Sequence, residues 1–242
     1  MARNEHQVLF APDKEIVMKK IAVIIVAVAV TLALTSPEAF ATLIYDNGAP
    51  NQVNGFEATR AIEADDFTLP APALITDVRF WDIELSPGYN GSITWFIYDN
   101  NGNQPGNTLA TGFTTLVTHT PTGTVVDVFT EFQNDFSIGA VPLLAGTTYW
   151  LGLHNGPLTH DTFDYFYWET TNDNGTLNSQ RKEAPFATSS WTTNPPLLAN
   201  DTELAFQLYG VAGVAAVPEP ATLFLLGSGL AGLAAWRRRR PA

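Results

Sequence analysis

The sequence predicts an all-β chain: an antiparallel β-sandwich of jelly-roll type, flanked by an N-terminal signal peptide and a single C-terminal hydrophobic helix. Short apolar runs with two-residue alternation recur through the middle of the chain. Clusters of Asn, Asp, Gly and Pro separate them, and no stretch of that middle holds a helical period of useful length. About eight to ten strands in roughly 170 residues suit two packed sheets.

Taken in order, Met18-Lys19-Lys20 precedes an apolar run from Ile21 to Leu34, and Ala39-Phe40-Ala41 follows. That is the charged start, apolar middle and small-residue cleavage site of a secretory signal peptide, with cleavage expected between Ala41 and Thr42. Met1 to Val17 are polar and out of place before such a signal. The choice of start therefore lies between Met1 and Met18, with residues 1–17 read as an upstream extension.

Strands follow. Tyr45 to Gly48 opens the domain and is expected beside Leu204 to Gly210, because the termini of a compact domain often lie close together. In Ile75 to Leu85 the alternation shifts around Trp81, as a β-bulge would make it do. Ser92 to Asp99 sets Ile93, Trp95 and Ile97 against Thr94, Phe96 and Tyr98, and apolar groups on both faces predict a central strand. Thr124 to Phe132 and Thr147 to His154 alternate in the same way, and Phe163 to Glu169 is rich in aromatics. Between them, Asp99 to Gly106, Pro121-Thr122-Gly123, Asn172 to Gly175 and Asn194-Pro195-Pro196 carry turn chemistry.

Candidate chemistry is sparse. Asp99, Asn101 and Asn103 have the alternate spacing that can aim oxygens at one Ca²⁺, but Gln104 stands where an EF-hand would need Gly, and Leu109 or Ala110 where it would need a distant acid. No cofactor is expected, with Ca²⁺ at this loop as the alternative to a plain turn. Asp161, Asp164, Asp173 and Asn174 form a looser oxygen-rich group, and His154 with His160 lacks further ligands in sequence. Asp65, Asp66, Asp82 and Glu84 are the carboxylates a glycan hydrolase would draw on. In so acidic a chain such pairs arise without function. Tyr165, Tyr167 and Trp168, in the run Tyr165-Phe166-Tyr167-Trp168, are the residues that could stack on sugar rings if the strand is not covered on both faces. Trp81, Trp95 and Trp150 read as core.

The whole chain carries a formal charge of −12, yet between Thr42 and Val217 only four basic residues face 19 acidic ones, a charge of −15. Nucleic acid and anionic membranes require clustered Lys and Arg, so neither is an expected partner of the folded part. The absence of Cys excludes a disulfide framework, a thiolate metal site and a Cys nucleophile.

At the C-terminus, Val217-Pro218-Glu219-Pro220 precedes an uncharged run, Ala221 to Trp236, and then Arg237, Arg238, Arg239 and Arg240. The run has 16 residues, short of the roughly 20 that span a bilayer core, and the arginines should remain cytoplasmic as a stop. This arrangement resembles the PEP-CTERM sorting signal of exported bacterial proteins. The resemblance implies recognition of Pro218, Glu219 and Pro220 by an exosortase-type membrane enzyme, transient residence in the inner membrane, and final delivery to the cell surface or extracellular matrix. Ile97 to Gly106, Tyr149 to Leu153 and Phe206 to Gly210 are similar to segments of the surface modules that precede such signals, which implies a fold and an exported setting but no activity. The expected organisation is an upstream extension at 1–17, a signal peptide at 18–41, the sandwich at 42–210, a linker at 211–216 and the sorting signal at 217–242. The expected role is that of an exported, non-catalytic surface or matrix protein. A carbohydrate-binding module acting on extracellular polysaccharide is the alternative, and a hydrolase ranks third.

Overall fold

The computed structural model describes residues 41–86, 88–195 and 203–213. Among these residues there is no helix. The strands are β1 (Thr42–Asp46), β2 (Pro50–Glu57), β3 (Ala61–Thr68), β4 (Ala73–Glu84), β5 (Ile93–Asn100), β6 (Pro105–Thr114) and β7 (Thr118–Val126). They continue with β8 (Phe129–Leu143), β9 (Thr148–Asn155), β10 (Phe166–Thr171), β11 (Gln180–Glu183), β12 (Thr192–Thr193), β13 (Glu203–Leu204) and β14 (Phe206–Ala212). Two antiparallel sheets pack as a sandwich. One has the path β1-β14-β4-β10-β13, with β2 on β10 and with β8 joining β4 to β7; the other runs β12-β11-β3-β9-β5-β6.

Alternation explains the core. In β5, Ile93, Trp95 and Ile97 face inward, where they meet Leu151 and Leu153 of β9, while Phe96 and Tyr98 join Ile62, Ala64 and Trp150 in a second apolar cluster. This strand is central, between β9 and β6, as its two apolar faces predict. Across the sandwich, Trp168 contacts Phe80 and Phe206 edge-on at 5.9 Å each, and its indole N–H donates to the Ala205 carbonyl at 2.9 Å. Burying side chains of this size stabilises by about 1.5–3 kcal/mol each. The termini of the sandwich do meet: Thr42 pairs with Gly210, and β14 continues to Ala212.

Three local expectations are corrected. The run Thr124 to Phe132 is not one strand but a hairpin, with Val126 paired to Phe129 around Asp127, whose φ is 56°. Valines on either side of the turn imitate a continuous strand, and Asp tolerates the left-handed conformation without Gly. Pro121-Thr122-Gly123 is not a chain reversal but a register break inside β7, between Pro121 and Val125. The break in β4 falls between Ile75 and Asp77, while the pairing around Trp81 is regular. The alternation only seems to shift there because Asp82 takes a buried position in line with Phe80.

Residues 1–40, the linker beyond Gly213, and the expected C-terminal helix with Pro218, Glu219, Pro220 and Arg237–Arg240 lie outside the described residues.

Candidate functional site

The densest chemistry starts on β3. Strand β11 covers β3 only from Ala61 to Ala64, so Asp65 and Asp66 lie past the last residue paired on that side. Other segments close around them. Asp65 is fully buried and its carboxylate accepts three hydrogen bonds, from Asn47 Nδ2 at 2.9 Å, Leu204 N at 2.6 Å and Asp66 N at 2.9 Å. Asp66 accepts from Leu177 N at 3.0 Å. Glu203 of β13 is also fully buried; Thr176 Oγ1 donates to its Oε2 at 3.2 Å, and its Oε1 has no hydrogen-bond partner. One carboxylate oxygen from each of the three acids lies within 4.8 Å of the other two.

The β1–β2 turn and the 172–177 segment frame this cluster. Asn47 Oδ1 accepts from Tyr45 OH at 2.7 Å and from Asn174 Nδ2 at 2.8 Å. Asp173 and Asn174 hold their own turn by accepting from Gly175 N and Thr176 N. Burial raises the Asp66 carboxyl to about 6 and, with the negative charge of Asp66 and Asp173 added, the Glu203 carboxyl to about 7. Asp65 is pushed well above the carboxylate range by burial and by Glu203, and the Tyr45 hydroxyl is raised by burial and by the same acids. Among the described residues, Arg60, Arg79 and Arg181 pair with other acids, and Lys182 lies over the Trp191 ring. No side-chain cation among the described residues reaches the cluster.

The sequence-predicted loop is arranged differently. Asp99 uses both carboxylate oxygens to accept from Asn107, backbone N at 2.6 Å and Nδ2 at 3.0 Å, which closes the β5–β6 turn. Gly106 is required beside it, because a Cβ there would collide with the Asp99 carboxylate. Asn103 takes a φ of 66°, and Asn101 N donates to Gln104 O. The second predicted group is divided: Asp164 meets His160 Nε2 at 2.5 Å in one loop, whereas Asp173 and Asn174 frame the β3 cluster. His154 is buried, bonds Gly156 O through Nδ1, and has its pKa lowered by burial.

The four candidate carboxylates also separate into two pairs. Asp65 and Asp66 belong to the centre on β3, while Asp82 and Glu84 flank His119 on the other sheet at 3.9 and 3.4 Å. His119 is stacked between Phe132 and Tyr89, and Asn134 Nδ2 donates to Asp82.

Of the predicted sugar platform, Tyr165 and Tyr167 reach the surface beside the exposed Phe163. Trp168 does not: its strand is covered and its ring lies in the core. Sequence reasoning missed a second aromatic surface, a hollow of about 350 Å³ whose lining includes Phe96, Tyr98, Phe186, Trp191 and Lys182. Alternation did mark Phe96 and Tyr98 as facing away from the main core. Nothing in the sequence brought the 184–191 loop over them.

The address of the chain comes from beyond the sandwich. A family model described as the PEP-CTERM protein-sorting motif matches residues 216–240. The chain carries a PEP-CTERM sorting motif. That match includes Pro218, Glu219, Pro220 and Arg237 to Arg240. A PEP-CTERM signal marks an exported protein that passes the membrane and is processed by an exosortase, a membrane enzyme. No curated protein matches the chain.

Proposed function

We propose that this chain is a non-catalytic cell-surface or extracellular-matrix protein, delivered through its PEP-CTERM signal. The observation that carries the reading is the position of that signal: the last described strand ends at Ala212 and the match starts at residue 216. A folded, acidic sandwich is thus held a few residues from the processing element, and cleavage beside Pro218-Glu219-Pro220 removes all four arginines while leaving the sandwich whole. Non-catalysis is supported by the burial of Asp65, Asp66 and Asp82, which leaves Glu84 as the one candidate hydrolytic acid near the surface, where glycoside hydrolysis draws on two. Intact-mass analysis of the mature protein tests the proposal. The expected C-terminus lies near Pro218 to Pro220; a mature chain that retains Arg240, or full-length protein in the cytosol, overturns it.

A second reading, carbohydrate binding, is favoured by the hollow lined by Tyr98 and Trp191 and by the surface pair Tyr165 and Tyr167. Aromatic rings with a neighbouring cation or amide are suited to stacking on and hydrogen-bonding to sugars. Affinity electrophoresis on matrix polysaccharides is expected to show retardation that Trp191→Ala or Tyr165→Ala reduces. Absence of retardation on every polysaccharide removes this reading and leaves the first intact.

A further inference from the structure

We infer that Asp65, Asp66 and Glu203 form a Ca²⁺ site that ties the two sheets together at one end of the sandwich. Asp65 and Asp66 belong to the six-stranded sheet and Glu203 to the eight-stranded one, so a cation held by all three is a bridge between layers. The β1–β2 turn and the 172–177 segment are fastened to the same point through Asn47, Asn174 and Thr176.

Three observations carry the inference. First, the donors converge. Two oxygens bound to one Ca²⁺ at 2.3–2.6 Å lie at most about 5 Å apart, and the three carboxylates meet that limit. Second, Glu203 Oε1 is fully buried and accepts from no described donor, on a carboxyl that lies against the Asp65 side chain. Native structures rarely leave such an atom unsatisfied, and a metal ion supplies what no described donor does. Third, the surroundings hold the site open instead of neutralising it. Backbone N–H groups of Leu177 and Leu204 and the Asn47 amide orient Asp66 and Asp65, and no Lys or Arg among the described residues pairs with any of the three acids. Buried charges persist in proteins when they are paired or when they coordinate metals.

The ligand set selects the ion class. All donors are oxygen, with neither His nor Cys, which suits a hard cation rather than zinc or copper. Three carboxylates, each able to bind through one or two oxygens, supply three to six positions of the six to eight that Ca²⁺ takes. Mg²⁺ would require a tighter octahedron that adjoining side chains on β3 are poorly placed to form.

The test uses the full chain in mild detergent, stripped of metal with chelator and titrated with CaCl₂. One Ca²⁺ per chain is expected, with Tm rising by about 3–6 °C at a tenfold excess over Kd. Glu203→Gln should weaken binding at least tenfold, and Asp99→Asn should leave it unchanged. Tb³⁺ gives a readout on the wild-type chain that does not depend on any variant at the site folding. Tyr45, whose hydroxyl bonds Asn47, should sensitise Tb³⁺ luminescence, and Ca²⁺ should quench that luminescence by displacement. No binding at millimolar Ca²⁺ overturns the proposal, as does a preference for Mg²⁺, or binding that Asp99→Asn abolishes and Glu203→Gln spares.

Discussion

Two oxygen-rich regions of this molecule look alike in composition and behave oppositely. In the β5–β6 turn, Asp99, Asn101 and Asn103 follow one another at the spacing of a cation loop. There both Asp99 oxygens accept from Asn107 and, among the described residues, no group of acids gathers around them, so the turn is complete in itself. At the edge of β3, Asp65 and Asp66 meet Glu203, which is 138 residues further along the chain than Asp65, and one buried oxygen remains without a partner. Regular spacing in a short loop lets neighbouring amides satisfy the side chains. Convergence from distant strands brings carboxylates together faster than local donors can reach them.

The largest effect should come from removing the keystone of the converging region. Asp65→Ala leaves Leu204 N without its acceptor and Asn47 Nδ2 with only the Leu204 carbonyl, and each buried N–H left unsatisfied costs about 1–3 kcal/mol. Denaturant unfolding in Ca²⁺ is expected to show a loss of about 3 kcal/mol. A loss no greater than that of a surface substitution would break the contrast between the two regions.

An intermediate effect separates convergence from mere burial. Glu169 is buried with Oε2 unpartnered, like Glu203, and lies near Glu131 and Asp82, but these acids do not bring three oxygens together as the β3 cluster does, and the Gln52 backbone N–H donates to its other oxygen. Burial, with the charge of Glu131 added, raises its pKa from 4.5 to about 8. A carboxyl whose folded pKa is raised stabilises the native state fully below its unfolded value, and that contribution is lost as pH climbs through the folded one. Glu169→Gln should therefore change little near pH 4 and become progressively stabilising relative to wild type between pH 5 and about 9, with no change in the response to Ca²⁺. Thermal melts across that range check it; stabilisation that is greatest at low pH would contradict the assignment.

The smallest effect belongs to the turn. Asp99→Asn keeps an oxygen for Asn107 N and should cost less than about 1 kcal/mol. A larger cost, or one that appears only when Ca²⁺ is present, would mean that the turn too holds a cation.

Much of the fold was legible because alternation is local. β5 and β9 show their two faces in five or six letters, and the pairing of the domain's ends followed from compactness. β3 was not legible for the same reason that it matters: two adjacent buried carboxylates break the apolar pattern by which a strand is read. β2 was hidden by its polar residues, and the Asp127 hairpin by its valines. Asp65, Asp66, Asp173 and Asn174 were each legible as separate oxygen-bearing candidates. Their grouping was not, because Glu203 joins Asp65 only once β13 lies between β3 and β10. Trp168 was a candidate for a sugar platform only if its strand were not covered on both faces; β2 and β4 on either side of β10, with the opposite sheet above, bury it. The PEP-CTERM signal needed no folding at all to be read, since its residues are contiguous.

The most direct test of the converging centre is a crystal structure of the exported protein grown with CaCl₂, with an anomalous difference map. A single calcium peak about 2.3–2.6 Å from oxygens of Asp65, Asp66 and Glu203 is the expected result. A map with no peak there, or with calcium held instead by Asp99, Asn101 and Asn103, would contradict the account.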